Sequence, residues 1–233
     1  MTITLGFLAI LMATVVWWLI KQSVNVQPWV AGHAAQNVHG AVLDRPAAKT
    51  ALWVFMAVAT SLFALFVSAY AMRIGYLDWR PMPQPRLLTL NTAFLVLASI
   101  TMQWSVSAAR RGQRPQVRIG MVTSGVLTIA FVVGQLWVWK QLGDAGYFVN
   151  SNAATSFFYL LTAVHGLHVV GGLVAWCRAT ARAWLDGPAD RLRLGVELCA
   201  MYWHFLLLAW LVLFAVLASE TVGMAICSTA VPL

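Results

Sequence analysis

The chain has 233 residues, of which 61% are hydrophobic and 9% charged. Soluble domains run nearer about 45–50% and about 25%, and a soluble protein this apolar could not cover its surface with polar groups. The composition excludes that class and points to an integral membrane protein. A net charge of +8 would raise nucleic acid as a partner in a soluble protein. Here the basic residues cluster between apolar segments, where they set membrane orientation, and no nucleic-acid partner is expected. Cys177, Cys199 and Cys227 form no C-x-x-C pair, so neither a disulfide framework nor a thiolate metal site is expected.

In chain order, six apolar runs are long enough to span a bilayer: 2–20, 50–72, 87–109, 117–139, 154–178 and 194–218. Each would cover the roughly 30 Å hydrocarbon core as a helix, the conformation that satisfies its own backbone groups there. The expected fold is an all-α polytopic bundle of six transmembrane helices. The first run has no basic residue ahead of it and no convincing cleavage site after Lys21, so it reads as a retained helix rather than a signal peptide. Residues 21–49 and 73–86, with Pro28, Pro46, Pro81, Pro83 and Pro85, read as linkers.

Eleven of the Lys and Arg residues fall after the first, third and fifth runs, from Lys21, Arg45 and Lys49 through Arg110, Arg111, Arg114 and Arg118 to Arg178, Arg182, Arg191 and Arg193. Four fall on the other side: Arg73, Arg80, Arg86 and Lys140. The bias places the richer side in the cytoplasm and both termini outside.

Polar residues inside the runs are the informative ones, because hydrocarbon penalises them without a partner. His165 and His168 share one face of the fifth run, and Glu197 and His204 share one face of the sixth. His168 and His204 each lie about ten residues from the cytoplasmic end of their helices, hence at one depth. The expectation is a buried polar network of His165, His168, Glu197 and His204. Two alternatives stay open: ligation of a b-type haem by His168 and His204, and proton or ion handling. Gly120, Ser124 and Thr128, and again Gly171, Ala175 and Ala179, recur every four residues and read as close-packing faces. Asn91 and Gln135 read as bridges between helices.

The stretch Phe157-Phe-Tyr-Leu-Leu-Thr-Ala-Val-His-Gly-Leu-His-Val-Val-Gly-Gly172, with Glu197, Tyr202-Trp-His-Phe205 and Trp210, resembles the signature of subunit III of the haem-copper oxidases. Leu90-Asn-Thr92 with Arg110-Arg-Gly112, and Leu52-Trp-Val-Phe-Met-Ala57, are similar to two further segments of that family. The likeness covers about residues 50–218. Three of the family's acidic positions fall here at Ala59, Val138 and Leu207.

The resemblance implies a five-helix core at 50–218, preceded by a divergent span and cytoplasmic linker at 1–49 and followed by a tail at 219–233. It further implies a non-catalytic subunit of a respiratory terminal oxidase of the cytochrome c oxidase type, in a bacterial inner membrane. Such a chain would support subunit I, which holds the haems and copper, would meet subunit II, and would bind membrane phospholipid. It would carry no catalytic residue, cofactor or metal ligand of its own, and the polar network would be free of haem. Arg182, and after it Arg178, occupies the place of the family's lipid-contacting Arg. The related subunit of a nitric oxide reductase and a haem b membrane anchor remain as alternatives.

Overall fold

In the computed structural model the described residues are 40–74, 76, 79–80, 87–185 and 189–229, with side chains described from 48 to 218. They form five helices: α1 (Gly40–Arg73), α2 (Leu87–Arg110), α3 (Arg114–Asp144), α4 (Ala153–Trp184) and α5 (Ala189–Thr229). The chain divides into two units, 1–48 and 49–233, and the second holds the helix bundle.

The expectation of six spans is corrected. Among the described residues five helices are long and apolar enough to cross a membrane: Ala48–Arg73, Leu87–Arg110, Arg114–Asp144, Ala153–Trp184 and Ala189–Ala218. The run 2–20, counted as a span on length and hydropathy alone, lies outside the described residues. The orientation with both termini outside depended on an even number of crossings. Five put the two ends of the helical body on opposite faces.

The helices also outrun their apolar segments. α1 begins ten residues before 50, inside the expected linker, and α5 runs eleven residues past 218. Hydropathy marks only the stretch that needs hydrocarbon, whereas a helix continues while its backbone hydrogen bonds do.

Short turns enforce antiparallel neighbours. Between α2 and α3, Gly112 adopts φ 72, the left-handed conformation that costs glycine least. Gln113 N–H then returns to Ala108 O at 3.0 Å, and Pro115 sits in the first turn of α3, where no N–H is missed. Between α3 and α4, Gly146 at φ 85 repeats the device, with Tyr147 N–H donating to Leu142 O at 2.9 Å. Asn152 caps α4 by accepting from Ala154 N–H at 2.8 Å, one of the orphan donors of a helix start.

α2 packs along α3 most closely; α5 lies against both α2 and α4, and α3 against α4. The core runs through Leu95, Met102, Met121, Phe131, Leu161, Trp203, Leu206 and Trp210, all essentially buried. On α3, the small face at Gly120, Ser124 and Thr128 is buried, and a Cβ at Gly120 would overlap the Ser105 hydroxyl on α2. Close approach is what small residues permit. α1 stands off at backbone level and reaches the others through the stripe Met56, Ala59, Phe63 and Tyr70. Apolar grooves remain on both flanks of that contact.

Candidate functional site

The helices divide the four candidate polar residues into two groups, on opposite sides of α5. On the α4 side, His165 is fully buried against the rings of Phe63, Phe131 and Trp210, at centroid distances of 6.3, 5.9 and 5.1 Å. Neither of its ring nitrogens has a hydrogen-bond partner among the described residues. His168, one turn on, pairs its Nδ1 with Val164 O at 2.8 Å and packs on Phe63 and Phe55 of α1. Its carbonyl accepts from Tyr202 OH at 3.0 Å, tying α5 to α4.

On the α2 side lies a cleft of about 140 Å³ floored by α5, with Lys49 of α1, Gln103 and Arg110 of α2, and Glu197 and His204 of α5 among its walls. Glu197 is 13% exposed and takes three cations: Lys49 Nζ, Arg110 Nε and Arg193 Nε, each at 3.2 Å. One carboxylate thus clamps α1, α2 and its own helix. Two turns deeper, His204 Nδ1 meets Ser99 Oγ at 2.5 Å and its Nε2 meets Gln103 Oε1 at 3.0 Å.

Sequence reasoning grouped His165, His168, Glu197 and His204. The structure places His165 beside His168 and Glu197 above His204, and no hydrogen bond joins one pair to the other among the described residues. His168 and His204 do not face each other. The first looks toward α1 across α4, the second toward α2. That separation removes the geometry in which two opposed imidazoles would clasp a haem. Among the described residues no group of three or more His, Cys, Asp or Glu side chains converges as a metal site would require.

Lys49, Ser99, Gln103 and Arg110 are partners that sequence reasoning did not assign. Gln103 had a readable signal, being an amide seven residues inside the run that ends near Arg110. Ser99 had none, since serines on membrane helices usually return to their own backbone, as Ser61, Ser105 and Ser107 do here.

Asn91 and Gln135 were expected to bridge helices. Both are buried, yet neither amide finds a partner among the described residues. Asn91 lies flat on Gly134, where any Cβ would overlap it. Bridging falls instead to indoles: Trp203 Nε1 to Thr128 Oγ1 at 3.0 Å, Trp210 Nε1 to Thr92 Oγ1 at 2.9 Å, and Trp176 Nε1 to Met121 O at 2.9 Å.

A larger cavity, about 520 Å³, lies between α1, α4 and α5 and is lined by Leu52, Phe55, Leu167, Gly171, Tyr202 and neighbouring apolar residues. Gly171 and Ala175, expected to be packing contacts, line this groove, and among the described residues nothing stands within 4 Å of where a Cβ at Gly171 would be. Only Ala179 of that trio is buried. Arg178 and Arg182 are exposed near the end of α4, and Arg182 lies within electrostatic reach of Cys199 in the groove wall.

The family model for cytochrome c oxidase subunit III matches residues 2–219. A relative from Mycobacterium tuberculosis named "Probable cytochrome c oxidase subunit 3" is 34% identical over 159 residues, 67% of this chain and 77% of that one. One of the same name from Nocardia farcinica is 32% identical over 188 residues, 77% of this chain and 91% of its own length. The "Cytochrome bo(3) ubiquinol oxidase subunit 3" of Pseudomonas aeruginosa is 25% identical over 169 residues, 70% of this chain and 80% of that one. With a membrane-type helical body beneath it, the match settles the assignment: the chain belongs to the cytochrome c oxidase subunit III family, the multi-pass subunit III of haem-copper oxidases, which assembles with other oxidase subunits.

Proposed function

We propose that the chain is the non-catalytic subunit III of a cytochrome c-oxidising terminal oxidase in a bacterial cytoplasmic membrane. It packs on subunit I, which carries the haems and copper, meets subunit II, and seats phospholipid against α1, α4 and α5. Residues 50–218 act as the working core, and residues 1–49 and 219–233 as its extensions. The basic end, with Lys49, Arg110, Arg182 and Arg193, faces the cytoplasm. His165, His168, Glu197 and His204 serve this body as internal polar supports.

The observation that carries the reading is the groove of about 520 Å³. Its lining is apolar and it is open, which suits an acyl chain better than a polar substrate. Arg182 and Arg178 stand near its basic end, where a phosphate headgroup would meet a guanidinium. Filling the groove with lipid would fix α1 against the other four helices and present one firm flank to subunit I. The electron donor is assigned to cytochrome c because the relatives at 32–34% identity are so named, while the quinol-oxidase relative stands at 25%.

The test is gentle purification of the native complex through a tag on this chain, followed by subunit identification, a reduced-minus-oxidised spectrum and lipid analysis. The expected result is haem and copper in a separate large subunit, turnover of oxygen rather than nitric oxide, and retained phospholipid that falls in Arg182→Ala. Removing the chain should spare initial oxygen reduction and shorten the enzyme's active life. Haem remaining on the isolated chain, or immediate and complete loss of turnover on depletion, would refute the reading.

A further inference from the structure

A membrane helix usually turns its polar side chains inward, away from acyl chains. The cleft between α1 and α2 breaks that pattern. His204 and Gln103 are both exposed, although His204 lies ten residues, about 15 Å, beyond the start of the apolar run at 194, near the middle of a hydrocarbon layer about 30 Å thick. The same opening continues to the basic end, where Lys49, Arg110 and Arg193 are roughly half exposed around the single carboxylate of Glu197. Three cations against one anion leave that end of the strip with an excess of two positive charges.

The hydrogen bonds give the strip a direction. Ser99 is buried and pairs with His204 Nδ1, while His204 Nε2 pairs with Gln103 Oε1. With the Ser99 hydroxyl donating to Nδ1, the imidazole carries its proton on Nε2 and donates it to the Gln103 carbonyl oxygen. Both ring nitrogens are then used. What remains is the Gln103 NH₂, which has no acceptor among the described residues. The chain Ser99, His204, Gln103 therefore ends in an unused donor inside the hydrocarbon layer. Lipid tails offer no acceptor there.

We propose that this α1–α2 cleft over α5 is the surface on which a membrane-spanning helix of another oxidase subunit docks. That helix places a hydrogen-bond acceptor against Gln103 and a carboxylate against Lys49 and Arg110. The proposal rests on the subunit III reading and adds the face by which the chain engages its neighbour. Charge and hydrogen-bond complementarity select the occupant. The apolar run 2–20 of this chain contains no acid and no amide side chain. A second copy would bring the same excess of positive charge to the same cleft.

The experiment places a photo-crosslinking residue at Ile100 or Leu208, exposed positions one turn from Gln103 and His204, and at Val126 on the exposed face of α3. Each variant is expressed in the full complex, irradiated in membranes, and its adducts are identified by mass. Covalent links from Ile100 and Leu208 to another oxidase subunit, with only lipid adducts from Val126, are the expected result. Gln103→Leu should also let this subunit leave the detergent-solubilised complex about tenfold more readily, the factor set by roughly one lost hydrogen bond.

Lipid adducts alone at Ile100 and Leu208, links to a second copy of this chain, or links to its own residues 1–48 would each overturn the docking proposal while leaving the subunit assignment intact. Failure of the tagged chain to co-purify with any oxidase subunit would refute the assignment itself and the docking surface with it.

Discussion

Trp203 on α5 donates its indole N–H to the Thr128 hydroxyl on α3 at 3.0 Å, and both residues are almost fully buried. Thr128 in turn donates to Ser124 O at 2.8 Å, so its one proton is spent within α3 and its lone pairs receive the indole. The bond joins residues 75 positions apart in a region where water could not replace it. Thr128→Val keeps the shape and removes the acceptor. It should lower the stability of the folded chain by about 1 kcal/mol, a typical value for one hydrogen bond in a membrane interior. Thr128→Ser should not. Detergent-denaturation midpoints of the two variants check this, and equal midpoints would mean that the indole draws no stability from the hydroxyl.

Gly125 gives a steric counterpart. A Cβ there would run into the indole ring of Trp176, which is held in place by its own bond to Met121 O at 2.9 Å. Gly125→Ala should therefore cost about 1–3 kcal/mol, the range for overpacking a filled core. Gly166, in the middle of α4, has nothing among the described residues within 4 Å of where a Cβ would stand. Gly166→Ala should be neutral or slightly stabilising in the isolated chain, since alanine favours a helix interior over glycine. Thermal unfolding in detergent reads the difference between the two variants. Loss of assembly by Gly166→Ala without loss of chain stability would place a neighbouring subunit against that surface.

The bilayer made much of the fold legible. It forces each long apolar run into a helix, so 50–72, 87–109, 117–139, 154–178 and 194–218 each lie within an observed helix. The helix ends were not legible, because the stretch from Gly40 to Lys49 and the turn ending at Trp184 are too polar for a hydropathy window. Rotation of each helix about its axis was harder still. Spacing placed Glu197 and His204 on one face of α5 and put His168 at the depth of His204. It could not reveal that Tyr202 turns toward His168 while His204 turns toward Ser99 and Gln103. Nor could it pair Lys49 with Glu197, 148 positions away. Such contacts depend on which faces the small residues bring together, and that is settled only when all five helices pack.

Glu197 should be more sensitive than any cation that surrounds it. Its side chain is 13% exposed, against 44% for Lys49, 58% for Arg110 and 51% for Arg193. Removing one exposed cation forfeits a partly screened pair worth under about 1 kcal/mol, and two partners remain. Glu197→Gln deletes the shared anion and leaves three like charges facing one another at the junction of α1, α2 and α5. The expected order of destabilisation is Glu197→Gln above Arg110→Gln, Lys49→Gln and Arg193→Gln. Denaturation midpoints at low and high salt would show it, the cation variants converging on wild type as salt screens their pairs. A midpoint for Glu197→Gln no lower than those of the cation variants would mean that the carboxylate does not hold the three helices together.

His165 and His204 make the sharpest contrast, because one imidazole is enclosed by rings and the other is wired into a chain. His165 has no hydrogen-bond partner among the described residues and sits against Phe63, Phe131 and Trp210. Replacing an unpaired buried polar group by an apolar one of similar size removes a desolvation penalty and no bond. His165→Leu should therefore leave the chain within about 1 kcal/mol of wild type or raise its stability. His204→Leu breaks the contacts to Ser99 and Gln103 at 2.5 and 3.0 Å and strands the buried Ser99 hydroxyl, so its midpoint should fall. Unfolding of both variants in one detergent gives the comparison directly. A large loss in His165→Leu would mean that its imidazole engages a bound water or ion, and would turn attention to the buried amides of Asn91 and Gln135, which also lack a partner among the described residues.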